Sequence, residues 1–120
     1  MSNLNVTILF LYALGMTFGQ VLFKLAADRA KAVEGNVFWI SLFTTGYFYL
    51  SIVLYAVLTL AWFWILARVP LSRAYPFVAL AFVLTPAFAA VLFDESIDVW
   101  YALSMALILG GLSIVVWKAN

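Results

Sequence analysis

The sequence contains no cysteine and no histidine. Thiol chemistry, disulfides and the usual zinc sites are therefore excluded, and the redox compartment stays undetermined. Charge is nearly as scarce: 9% of the 120 residues are Asp, Glu, Lys or Arg, against roughly 25% in soluble domains. Five acids and six bases leave a net charge of +1, which gives no basic footprint for nucleic acid. There is no glycine-rich phosphate loop and no cluster of metal-ligating residues. No cofactor or metal is expected, and nothing reads as catalytic. Asp94 and Glu95 are adjacent acids, but neighbours in a helix do not face each other.

Apolar residues fill the space that charge leaves. They make up 68% of the chain, and its mean hydropathy is +1.16. So few charges cannot cover that much apolar surface in water, so the chain reads as an all-α integral membrane protein. A spanning helix takes about 20 mainly apolar residues. Four segments qualify, about 4–27, 46–67, 71–93 and 99–117, and they predict a single four-helix domain over 1–120. Met1-Ser2-Asn3-Leu4 lacks the basic start of a secretory signal, and the apolar run behind it is too long for one. The first segment is expected to be a retained helix without any Asp or Glu.

The run from Val37 to Ala67 is 31 residues without a charge, roughly 46 Å as one helix and longer than a hydrocarbon core of about 30 Å. Gly46 divides it. Residues 36–45, with Ser41, Thr44 and Thr45 on one face, are expected to form a short interfacial helix. The second span then ends in Trp62 and Trp64, as in an aromatic belt. Arg68-Val69-Pro70 reads as a tight turn. Pro76 and Pro86 should kink or break the third span, and its alanines, Ala79, Ala81 and Ala89 among them, admit close neighbours. In the fourth span Ala102, Ala106 and Gly110 recur every four residues, a small-residue stripe of the kind that packs membrane helices. We assign it to a dimer interface. Gly15 and Gly19 form a similar stripe in the first span.

The positive-inside rule is almost silent. Arg68, Arg73 and Lys118 fall on one side of the membrane. Arg29 and Lys31 fall on the other, with Lys24 if it reaches outward. One orientation with a weak signal and insertion in both orientations are both open.

Polar groups at membrane depth are expensive and mark candidate sites. Gln20 and Lys24 lie one turn apart on one face of the first span. Lys24 reads either as a side chain that snorkels to the interface or as a cation held there for an anionic headgroup. Gln20 reads either as interhelical glue or as a donor along a substrate path. Arg73 and Tyr75 sit where the third span begins, near a helix N-terminus that favours phosphate. Arg68 reads as an interfacial anchor. Glu95 follows the third span on the side where the first span ends, so it could pair with Lys24. Tyr47, Tyr49 and Tyr55 are expected to be interface anchors.

These residues carry a resemblance. Gly19-Gln20-Val21-Leu22-Phe23-Lys24 looks like the Gly-Gln…Lys signature of the small drug/metabolite transporter (EamA-like) superfamily. Val69-Pro70 with Ala74-Tyr75-Pro76, and then Asp94-Glu95-Ser96-Ile97, resemble the two ends of its third helix. The small multidrug resistance transporters are more distant, because the acid they carry in helix 1 falls at Met16 here. The chain is most similar to subunits of the undecaprenyl-phosphate-aminoarabinose flippase. That resemblance implies a dimeric transporter, not an enzyme, moving a polyprenyl-phosphate-linked sugar between leaflets of a bacterial inner membrane. Gln20, Lys24, Arg73, Tyr75 and Glu95 would contact the substrate. The competing expectations are a small-molecule or drug exporter and an accessory subunit that does not itself transport. The partner is expected to be a second copy, in an antiparallel arrangement, or a paralogue.

Overall fold

Leucine, alanine and phenylalanine run almost unbroken through the chain, and in lipid only a helix satisfies their backbone internally. The computed structural model describes residues 3–32, 35 and 37–119. Glu34 of the first loop and Asn36, the expected start of the interfacial helix, lie outside them. The helices are α1 (Asn3–Ala32), α2 (Phe38–Phe43), α3 (Gly46–Leu66), α4 (Leu71–Leu92) and α5 (Val99–Ala119). All but α2 are long and apolar enough to cross a membrane.

The first helix is longer than the 4–27 segment. Ala26, Ala27, Ala30 and Ala32 are strong helix formers, and Arg29 and Lys31 in the last turn favour the negative end of the helix dipole. The charged stretch therefore continues the helix instead of leaving it. One expectation is corrected by this: α1 does contain an acid, Asp28. The chain then turns at Gly35, whose φ of +79° is a left-handed value. The short α2 lies against α1 with Ser41 buried, while Trp39, Ile40 and Phe43 are exposed.

Pro76 and Pro86 lie inside α4, yet it runs unbroken from Leu71 to Leu92, so neither breaks it. Pro70 precedes α4 as its cap residue. After α4, Asp94 adopts φ 54°, a left-handed conformation that Asp tolerates better than most residues. That reversal lets the Glu95 N–H donate to the Ala89 carbonyl at 3.5 Å. Asp98 then caps α5, its carboxylate accepting from the Tyr101 N–H at 2.7 Å.

The helices form a slab of about 55 × 37 × 17 Å, with α1 packed between α3 and α4 and α5 on the far side of α4. Leu9, Ile65, Val69, Ala74, Phe77 and Leu112 form one buried cluster toward the end where α1 begins, α3 stops and α4 starts, while Leu22, Ala26 and Ala30 are buried farther along α1. Phe10 meets Phe77 edge-on at 5.6 Å in the same region. Trp62 stacks on Tyr12 at 5.0 Å, so it is a packing residue, while Trp64 is exposed. Toward the other end a groove lies between α1, α4 and the start of α5.

Candidate substrate groove

The groove is made by three stretches. From α1 come Met16, Gln20 and Lys24; from α4 come Phe82, Thr85, Pro86 and Ala89; beyond α4 come Glu95, Ser96 and Tyr101. It consists of adjoining cavities of about 350, 230 and 200 Å³; Thr85 lines all three, and Gln20, Pro86, Ala89, Glu95 and Tyr101 each line two.

Gln20 is fixed from behind by α3. Its Nε2 donates to the Tyr55 hydroxyl at 2.7 Å, and that hydroxyl lies 3.4 Å from the Met16 carbonyl, to which it donates. The Tyr55 ring stacks on Phe23 at 4.7 Å with planes 2° apart. Gly19 makes this possible: a Cβ there would sit 2.5 Å from Tyr55 Cε2, which no real side chain tolerates. Gly15 likewise admits Leu58, 2.9 Å from an added Cβ. The glycine stripe of α1 is thus the seat of α3. An amide has two N–H donors and a carbonyl acceptor, so Gln20 keeps polar capacity beyond its bond to Tyr55.

Lys24 does not pair with Glu95. Its Nζ is 3.4 Å from Asp28 Oδ1, one turn along α1, with both side chains half-exposed. Sequence reasoning missed that pair because it ended the helix at 27. Lys24 and Glu95 nevertheless face one cavity from opposite walls. Arg73 and Tyr75 are at the other end of α4, exposed, with Tyr75 near the Trp62 ring at 6.3 Å. Within one chain they are not brought to Lys24. Arg68 is an anchor: its guanidinium lies 3.8 Å over the Trp64 ring and donates to the Trp64 carbonyl at 3.2 Å.

Tyr55 was expected to be an interface anchor, and the fold corrects this. It is the tenth residue of a 21-residue span, at mid-depth, and that depth was the signal available in the sequence. Thr85, Ser96 and Tyr101 were also missed, because their place on the groove depends on how α4 and α5 pack against α1.

On the outer side of α1 a second depression of about 210 Å³ is lined by Leu14, Thr17, Phe18, Val21, Phe88 and Leu92. The hydroxyl of Thr17 is turned back on the Ala13 carbonyl at 3.1 Å, so the trough offers almost nothing polar. Val21 lines both this trough and the polar cavity of Lys24 and Glu95.

Four apolar spans around a groove that is polar on one side of Val21 and apolar on the other make a small multi-pass membrane protein. Comparison with known proteins gives the family. Over 97 residues the chain is 32% identical to a protein of Pseudomonas aeruginosa (strain LESB58) described as "Probable 4-amino-4-deoxy-L-arabinose-phosphoundecaprenol flippase subunit ArnE", covering 81% of this chain and 84% of that one. It is 27% identical to the protein of the same description from Pseudomonas fluorescens (strain Pf0-1), over 93% of this chain and 96% of that one. The chain belongs to this family of ArnE flippase subunits, which are named as transporters and not as enzymes. No family model and no solved structure matches it.

Proposed function

We propose that the protein moves a polyprenyl-phosphate-linked sugar between the leaflets of a bacterial inner membrane. The observation that carries this reading is the junction at Val21, where a polar cavity meets an apolar trough. An amphiphile with one polar head and a long apolar tail is the ligand that uses both. The relatives are named for such a molecule, an amino sugar joined through phosphate to undecaprenol. Lys24 is available to the phosphate, because an exposed i,i+4 ion pair such as Lys24–Asp28 is worth only about 0.3–0.5 kcal/mol. Gln20, one turn deeper, adds a neutral donor.

The reading is tested by reconstituting the protein in proteoliposomes and following a labelled polyprenyl-phosphate sugar from leaflet to leaflet. Movement above protein-free vesicles is expected, with no acceleration of a labelled phosphatidylcholine. Equal rates with and without protein would remove the transport function and leave the accessory-subunit role. An exporter of small amines is the second reading, and one observation favours it: such a carrier needs an acid facing its cavity, and Glu95 is one.

A dimer completes the proposal. Arg73 and Tyr75 lie at the opposite end of the bundle from Lys24. An antiparallel partner would bring its Arg73 to the leaflet of the first chain's Lys24, giving equivalent cationic sites on both sides. The surface proposed for the partner is the stripe Ala102, Ala106 and Gly110, all exposed on α5. A Cβ added at Gly110 meets nothing within 4 Å. Gly110→Leu is therefore expected to weaken association in bilayers by about tenfold, through lost helix contact, without lowering the protomer's thermal stability. Energy transfer between labelled copies reads the first quantity and a thermal melt in detergent the second. Unchanged association would move the interface away from α5.

A further inference from the structure

The largest cavity of the groove, about 350 Å³, collects oxygen atoms that lack a donor. Three features of the fold leave them so. The first is the orientation of Gln20. The Tyr55 hydroxyl gives its single hydrogen to the Met16 carbonyl at 3.4 Å, so it meets Gln20 only as an acceptor, from Nε2 at 2.7 Å. The amide oxygen of Gln20 is thereby left for the cavity that the residue lines. The second is a gap in the hydrogen-bond ladder of α4. Pro86 has no N–H, so the Phe82 carbonyl loses its helical donor, and both residues line this cavity. A carbonyl left unsatisfied at membrane depth is costly. The third is Thr85. The hydroxyls of Thr17, Ser51, Thr59, Ser104 and Ser113 turn back on carbonyls of their own helices. The Thr85 hydroxyl, among the described residues, makes no such bond, and it lines the cavity together with Tyr101.

The charges favour a cation in this place. Lys24 is paired with Asp28, and Glu95 lies across from it, so the groove sets one base against two acids. Glu95 lines the two neighbouring cavities but not this one. Its field reaches the cavity while its carboxylate stays outside. Calcium draws on carboxylates as direct ligands. Softer metals need imidazole or thiolate, and the chain has no His or Cys. Neutral hard oxygens beside a separate negative charge suit a small monovalent cation, and carbonyls freed where a membrane helix is interrupted are known to hold one. We infer that this cavity is a sodium site. Its ligands are the Gln20 amide oxygen, the Phe82 carbonyl and the hydroxyls of Thr85 and Tyr101, with water completing the shell. Pro86 makes the site by withholding a donor, and Tyr55 positions Gln20 for it. The inference stands apart from the lipid reading, since neither Lys24 nor a phosphate takes part.

The test is equilibrium binding of radiolabelled sodium to the full chain in phosphatidylcholine nanodiscs, at ionic strength held constant with N-methylglucamine chloride. Saturable binding is expected, and potassium should compete far more weakly than unlabelled sodium. Thr85→Val keeps the side chain's shape and removes its hydroxyl, so it should weaken binding by about tenfold, the worth of one polar contact to a charge. Thr85→Ser should bind as the wild type does. Pro86→Ala gives the Phe82 carbonyl its donor back. It should also weaken binding by about tenfold, yet melt at a higher temperature than the wild type in sodium-free buffer, because the helix regains a hydrogen bond. A change that only loosened the fold would lower both quantities together. No saturable binding, or potassium competing as well as sodium, would overturn the site. So would wild-type affinity in either Thr85→Val or Pro86→Ala. Each of these results would leave the lipid reading to its own assay.

Discussion

Gly19→Leu is expected to lower the thermal stability of the protein in detergent more than any other single change considered. A Cβ at this position lies 2.5 Å from Tyr55 Cε2, 3.0 Å from Cζ and 3.2 Å from the hydroxyl oxygen. The ring cannot yield freely. It is stacked on Phe23 at 4.7 Å and accepts the Gln20 hydrogen bond at 2.7 Å. Forcing atoms into such a contact costs about 1–3 kcal/mol, occasionally more, out of a net stability of about 5–15 kcal/mol. Leucine should lie at or beyond the top of that range and alanine near the bottom. Combining Gly19→Ala with Tyr55→Ala should recover part of the loss, since the pair then has room. Gly111→Ala is the control: its Cβ would meet nothing within 4 Å, and helix propensity alone should make it neutral or stabilising by about 0.5–1 kcal/mol. Thermal melts followed by gel filtration measure all four. If Gly19→Leu melts with the wild type, α3 is not seated on α1 through this residue.

Lys24→Ala should slow lipid movement by about 10-fold or more while the protein stays folded. The two effects separate because they draw on different contacts. The exposed pair with Asp28 contributes little to folding, whereas a charge-assisted hydrogen bond to phosphate is worth about 1.5–3 kcal/mol. Lys24→Arg should keep part of the rate, because the charge survives and the donor geometry changes. Asp28→Asn should leave the rate at or above wild type, since it frees Lys24 for the ligand. Arg73→Ala should slow transport as well if the opposite leaflet uses it. The measurement is the leaflet-to-leaflet rate in proteoliposomes beside a melt of each variant. Wild-type rates in both Lys24→Ala and Arg73→Ala would make these residues interfacial anchors and remove the phosphate site.

The membrane class, the helical fold and the order of four spans were legible without coordinates. They depend on quantities that run along the chain: the length of apolar runs, the scarcity of charge, and glycine or proline between segments. A backbone in lipid has only the helix open to it once those runs are long enough. The same one-dimensional reading identified Gln20 and Lys24 as polar groups out of place and Glu95 as an acid that could meet Lys24.

Their partners were decided elsewhere. Asp28 pairs with Lys24 because α1 continues through its charged end to Ala32, a boundary set by alanine propensity and by the docking of α2. Tyr55 meets Gln20 from 35 positions away because two glycines let α3 approach α1. Glu95 reaches the groove because the chain reverses at Asp94, which brings the residues after α4 back against α1 and α4. The sequence by itself determined which side chains needed company in the membrane. Only the tertiary structure decided which company each one keeps, because that depends on which helices lie side by side and at what depth, and neither is written in the spacing along any single helix.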